Sequence, residues 1–245
     1  MLIGFPYAAG YREGHVVHCL AGTEDEPSVA PFGEVDGRIK ARTREVARVL
    51  ESAPGFGAEI RCDMDVWLKY HVAFLMPSLA PALYGAGTDN YRLARTRDLV
   101  VLAIRAIREG FQVLQALGFP ITPARYKMFA WLPEPILVWG FQKRLADKLM
   151  ETAMVRHANA ARDEMVHLAD EFLALARTTP APTPSIDRLY RYFDPETPLM
   201  SDGSAEIPLR WGGVFVAAAV LAAVIVSLGL LLGRQRTDKR ARRTG

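Results

Sequence analysis

The chain has 245 residues, 50% hydrophobic and 23% charged, which supports a core shared by one or two domains and excludes a disordered protein. Its net charge of +3 is concentrated in the last 12 residues, RQRTDKRARRTG, with six basic groups and one acid; the rest is slightly acidic, so nucleic acid is not expected as a partner. Two cysteines, Cys19 and Cys62, with no CxxC motif or Cys/His cluster, exclude a disulfide scaffold and structural zinc, and MLIGFPYAAGYREG is not a secretion signal.

In chain order, LIGFPYA, HVVHCLAG and PSVAPFGEV are short β-like runs separated by Gly, Pro and acidic clusters. After the turn at Asp36 and Gly37, RIKARTREVARVLESA places Ile39, Val46 and Leu50 at helical intervals, and a short EIRC strand follows. From Asp65 the pattern becomes helical. Helices are predicted over 65–84, over 91–117 with Gly118 as the stop, over 136–150 and over 152–176, and PAPTPSIDRLYRYF adds a rigid linker and a short amphipathic helix. No internal repeat is visible.

Residues 194–210, DPETPLMSDGSAEIPLR, are polar and rich in turn formers and read as a tether. VFVAAAVLAAVIVSLGLLL, residues 214–232, is an uncharged run close to the roughly 20 residues that span a bilayer. The expectation is therefore a single C-terminal transmembrane helix over 212–233, with Trp211 at one edge and a basic tail, 234–245, beyond the other. The basic tail argues for a cytoplasmic C-terminus. The body has no export signal and only the short tail need cross, so a membrane-anchored chain with a cytoplasmic body is the expected arrangement.

DMDVWLKYHVAFLMP, residues 63–77, holds one lysine in an apolar run. Val66, Val72, Ala73 and Met76 share the face of Lys69 at helical spacing. Two readings stand: a stem lying on the core with its ammonium reaching water, or a lysine prepared for proton transfer by apolar surroundings. In 152–176, Glu164 flanks the stripe Ala161, Met165, Leu168, Phe172; it reads either as a solvated acid among Asp163, Asp170 and Glu171 or as a carboxylate for a substrate hydroxyl or for Lys69. His71 and His167 are lone histidines on helices and read as structural. There is no GxSxG, GxGxxG or GxxxxGK[ST], so neither a serine nucleophile nor a phosphate cradle is encoded.

WLKYHVAF, AIREGFQVLQALGFPITP, and ARDEMVHLADEF followed by PTPSIDRL resemble, in order and spacing, the C-terminal half of ketopantoate reductases, over roughly residues 1–193. Glu164 lies 20 residues before Pro184, as the family's glutamate precedes its TP segment, and Glu109 matches the glutamate of its middle helix. The resemblance implies NADPH-dependent reduction of a small 2-keto acid, of the 2-dehydropantoate to pantoate type. It implies Lys69 as the general acid that protonates the carbonyl oxygen, Glu164 as the group binding the substrate hydroxyl, and Asn90 as a match for a substrate-binding asparagine. Where the family has an asparagine four residues after the lysine, this chain has Ala73.

The family's glycine-rich cofactor motif would precede this sequence by about 100 residues. The expected organisation is thus a β-rich remnant of a nucleotide-binding domain over 1–62, a helical substrate or dimerisation domain over 63–193, a linker over 194–211, the transmembrane helix and the tail. The fold class is mainly α, with no metal and with NADPH as the implied cofactor. The alternative to an enzyme is a non-catalytic, membrane-tethered helical domain that binds or forms a homodimer.

Overall fold

A computed structural model describes residues 1–6, 9–20, 22–211 and Ala219. The first 60 residues build a small β part. Strands β1 (Leu2–Gly4), β4 (Ser28–Glu34) and β5 (Phe56–Ile60) form one sheet in the order β1-β4-β5, and β2 (Ala9–Glu13) pairs with β3 (Val16–Leu20) as a separate hairpin. β4 and β5 run parallel, with Phe32 beside Ile60, and are joined through helix α1 (Ala41–Glu51); β1 lies antiparallel on the other edge, Ile3 beside Gly33. This is a βαβ crossover with one returning strand, an α/β arrangement. Gly33 is a packing requirement: a Cβ there would lie 2.0 Å from the Arg61 carbonyl oxygen.

The end of β4 is pinned by charge. Glu34 is 2% exposed and accepts hydrogen bonds from Arg42 Nε at 2.6 Å and Thr43 Oγ1 at 3.3 Å, with Lys40 Nζ at 3.5 Å. The Arg42 guanidinium, outweighing desolvation and helped by Lys40, pulls the carboxyl down to about 2. A carboxyl depressed in the folded state stabilises fully above its unfolded value near 4.5, and that contribution is lost as pH falls toward 2. Chemical unfolding of Glu34→Gln between pH 6 and 3 should therefore show a flatter loss of stability below pH 4.5 than the parent; parallel profiles would contradict this role.

Beyond Arg61 the chain is helical. A helix begins at Met64, as the apolar run predicts, but it is not uniform: α2 (Met64–Phe74) passes into a π-helical turn at Leu75–Leu79 and then into α3 (Ala80–Gly85). Pro77 lies inside that turn; it lacks an N–H and its ring crowds the preceding turn, which disfavours a regular α ladder. Ser78 Oγ donates to the Phe74 carbonyl at 2.5 Å and takes up one of the displaced acceptors. The helix expected over 91–117 is likewise two, α4 (Asn90–Arg95) and α5 (Arg97–Ala116), broken at Thr96. Gly118, in the left-handed region, closes α5 as expected.

α5 is the axis of the domain. Leu99, Leu102, Ala106 and Val113 are buried, and so are Val100, Val101, Ile104 and Ile107 on the other sides of the helix. Helices α2, α4, α7 (Glu134–Leu145) and α10 (Pro184–Tyr190) pack around it. Gly110 of α5 faces Ala73 of α2, where an added Cβ would come 3.3 Å from the Ala73 Cβ; two small residues let these helices approach closely. A short helix α6 (Met128–Trp131) precedes α7. The segment expected to be helical over 152–176 is a second π-helical turn, Glu151–Arg156, followed by α8 (His157–Ala160) and α9 (Arg162–Ala176).

Residues 194–210 do not hang free. Buried Asp98 at the start of α5 accepts from Ser204 Oγ (2.6 Å), Glu206 N (2.8 Å) and Ile207 N (2.9 Å); Arg92 donates to Met200 O, and Met200 N donates to Gly85 O. Farther along, Arg105 donates to Pro208 O, and Arg210 N to Glu134. A polar segment reads as a tether in sequence because these partners are about 75 to 115 residues away.

The expectation of a transmembrane helix, and of a membrane-anchored location built on it, is corrected. Among the described residues no helix is long and apolar enough to cross a membrane. The 20-residue α5 has the length but carries Arg97, Asp98, Arg105, Arg108 and Glu109. The run proposed as the span, 212–233, lies outside the described residues except for Ala219. The fold is a helical domain with a small α/β part.

Candidate active site

The start of α2 is fixed before the candidate lysine is reached. Arg61 grips Asp63 with two hydrogen bonds of 2.9 and 3.0 Å, and Thr122 Oγ1 donates to Asp63 at 2.6 Å, tying the end of β5 and the start of α2 to the loop after α5. Tyr70 OH donates to the Phe119 carbonyl of the same loop at 2.9 Å. Lys69 therefore projects from a rigid helix beside an anchored loop.

The Lys69 side chain is 31% exposed. Its Nζ lies 2.6 Å from Asp65 Oδ2, one helical turn earlier, and 5.1 Å from the centroid of the Phe119 ring. It lines a cleft of about 220 Å³ with Asp65, Val72, Leu168, Glu171 and Phe172. The stem follows apolar surface, and the ammonium is held at the cleft by a carboxylate and an aromatic face. Asp65 was legible as an i, i+4 partner; Phe119 and Glu171 were not, because their approach depends on how the loop and α9 dock.

The other expected site residues lie elsewhere. Glu164 is exposed in the first turn of α9 and makes no hydrogen bond or ion pair with another described residue; the α9 carboxylate at the Lys69 cleft is Glu171. Asn90 is 2% exposed, and its amide nitrogen donates to the carbonyls of Leu145 (2.8 Å) and Asp147 (3.4 Å), joining α4 to the end of α7. Glu109 accepts from Ser185 N at 2.8 Å and Ile186 N at 3.0 Å, so it caps α10; burial raises its carboxyl above the usual value. Ala73 is fully buried in the α2–α5 contact.

Of the two histidines, His71 stacks on Trp67 at 5.1 Å and meets Phe5 at 4.2 Å, its Nε2 buried without a partner. Burial, with Arg125 adding to it, pushes its imidazole down to about 4 and keeps it neutral near pH 7. His167 is exposed and lies 3.5 Å from Glu171.

The described βαβ unit does not fit a dinucleotide. At the turn from β4 to α1, where a pyrophosphate would need free backbone N–H groups and no nearby anion, the acids Glu34 and Asp36 stand instead and already engage Lys40 and Arg42.

A small sheet with a parallel crossover is followed by a helical domain around one buried helix, and this arrangement has a likeness among solved structures. The likeness is to ketopantoate reductases: the chain superposes on the dimeric ketopantoate reductase from Staphylococcus aureus with a TM-score of 0.55 at 14% identity, over 78% of this chain and 59% of that one. A proposed 2-dehydropantoate 2-reductase from the same organism aligns at 12% identity over 78% of this chain and 58% of that one, with a TM-score of 0.48, too low to carry argument. The chain spans less than two thirds of the length of either. At these identities the fold is what is shared. No protein-family model and no curated protein matches the sequence.

Proposed function

We propose that this chain is the substrate-facing, helical part of a reductase that turns a small 2-keto acid into a 2-hydroxy acid with NADPH, of the 2-dehydropantoate to pantoate type. The observation that carries the reading is the position of Lys69: on a ketopantoate-reductase fold, at a cleft, with its ammonium aimed by Asp65 and Phe119. Lys69 is the general acid that gives a proton to the carbonyl oxygen. Glu164 is the group that the resemblance gives to the substrate hydroxyl; its carboxylate is uncommitted among the described residues but stands outside the lining of the Lys69 cleft, so its part rests on the resemblance alone. The β4–α1 turn does not suit the nucleotide, which is held at another surface.

A second reading is favoured by two residues. Ala73 is closed into helix packing and the Asn90 amide is spent on backbone carbonyls, so neither is free to hold a keto acid. On that reading the chain is a non-catalytic helical domain that binds or pairs with a second copy; the Staphylococcus aureus reductase is dimeric.

A complementation assay separates the two. The full chain, mixed with or fused to a ketopantoate-reductase nucleotide-binding domain, is expected to oxidise NADPH only when a 2-keto acid is present. Oxidation no faster than that of the nucleotide-binding domain alone would overturn the reductase reading.

A further inference from the structure

A second cavity, of about 580 Å³, lies between α7 and both π-helical turns, and its lining includes neither Lys69 nor Glu164. Its walls are almost wholly apolar. Leu75, Met76 and Leu79 of the first π-helical turn line it, and so do Ala153 and Met154 of the second. These are the only two π-helical turns among the described residues, and both face the same space; π-helical turns cost regular hydrogen bonding and recur at functional sites. Methionines line it repeatedly and give a surface that can adapt to a flexible apolar guest. The volume falls in the range of small-molecule sites.

Two features point to a guest of particular chemistry. Among the lining residues only Arg144 and His157 carry ionisable side chains, and both are exposed. Arg144 has only a loose partner, Asp147 at 3.5 Å, and His157 has no side-chain hydrogen bond or ion pair among the described residues. The other feature is Gly140, in the interior of α7, where an added Cβ would meet nothing within 4 Å. Glycine lowers helix stability there with no packing reason on the protein's side, and its effect is to leave the cavity open.

We propose that this cavity binds the chain of a free fatty acid, with the carboxylate held by Arg144 and His157. An apolar cavity whose lining carries Arg144 and His157 and no acid matches a single-chain anion and disfavours a neutral or cationic amphiphile. The inference is independent of the reductase reading, because it is tested by binding and involves no turnover.

The test uses the full chain and 11-(dansylamino)undecanoate as a fluorescent probe. Saturable micromolar binding is expected, displaced by dodecanoate, with dodecanol weaker by about 10-fold or more for want of the charge-assisted contact. Arg144→Gln should lose about the same factor. Gly140→Trp should abolish binding by filling the space, while Gly140→Ala keeps it; if Gly140→Trp does not fold, Ala153→Phe fills the cavity from the second π-helical turn.

The proposal fails if the probe does not saturate, if both blocking variants bind as well as the parent, or if dodecanol competes as well as dodecanoate. It also fails if the chain is a dimer that binds no probe until Trp139→Glu, at the exposed rim, separates the copies, because the occupant is then a second copy.

Discussion

With a nucleotide-binding domain supplied, Lys69→Ala is expected to remove most of the 2-keto-acid-dependent turnover while leaving NADPH affinity nearly unchanged. A positioned general acid contributes about 100-fold to 10,000-fold, and among the described residues Lys69 is the only lysine or arginine lining its cleft. The effect belongs in kcat, because the proton is needed as the carbonyl oxygen gains charge. Its neighbours refine the expectation. Asp65→Asn keeps the ammonium but removes the carboxylate 2.6 Å away that aims it, so a smaller loss is expected than for Lys69→Ala. Turnover of Lys69→Ala within a few-fold of the parent would leave Lys69 as a stem on the core with its charge in water. Steady-state kinetics of the three proteins, with circular dichroism to confirm their fold, make the comparison.

The largest expected stability effect lies on the far side of α5. Glu134 is 2% exposed, and its carboxylate accepts two hydrogen bonds from Arg105, at 2.9 and 2.8 Å, and one from Arg210 N at 3.0 Å. Burial works against the charge, yet the Arg105 fork and the Arg210 backbone hold the carboxyl below its usual value. Arg105→Ala leaves that carboxylate buried without its main partner, which typically costs about 3–5 kcal/mol. Arg108, 3.9 Å away, offers partial compensation, so the lower end, about 3 kcal/mol, is expected. Domains of this kind have only about 5–15 kcal/mol in total, so urea unfolding should show a large shift in midpoint. Replacing both partners, Arg105→Met with Glu134→Leu, should cost less than Arg105→Ala alone, because no unpaired charge remains. A loss under about 1 kcal/mol in Arg105→Ala would mean that water or Arg108 already satisfies Glu134.

How far the sequence could be read depended on how local each cause was. The change from strands to helices near residue 64 follows from hydrophobic period, and the end of α5 from Gly118, both properties of a few adjacent residues. The two π-helical turns were hidden because period alone does not reveal where a ladder slips, although Pro77 marked the place. The break at Thr96 carries no glycine or proline and was not visible. α5 is buried on nearly every side, a consequence of how many helices gather round it, which the hydrophobic period of its own residues does not reveal. Lys69 stood out because an ammonium in an apolar run is rare. Glu171 and Phe119 did not, since their place at the cleft depends on docking. Asn90 and Glu109 look like polar residues available for a ligand until their partners, 55 and 76 residues away, are seen. The membrane expectation came from composition in 212–233 alone, and no described helix supports it.

The strap formed by residues 194–210 has a mechanical consequence. A free coil of that length would let whatever follows it roam over roughly 20–25 Å. Held against α4, α5 and α7, it removes that reach, and Trp211 leaves the body from a fixed point next to Glu134. A pull applied beyond Trp211 would not load the helices at once. It would peel the strap from its far end, parting Arg210 from Glu134, then Pro208 from Arg105, then Ile207 and Glu206 from Asp98, and finally Met200 from Gly85 and Arg92. Contacts broken one after another yield at lower force than contacts broken together, so under such a pull the strap would part before the buried length of the central helix is loaded.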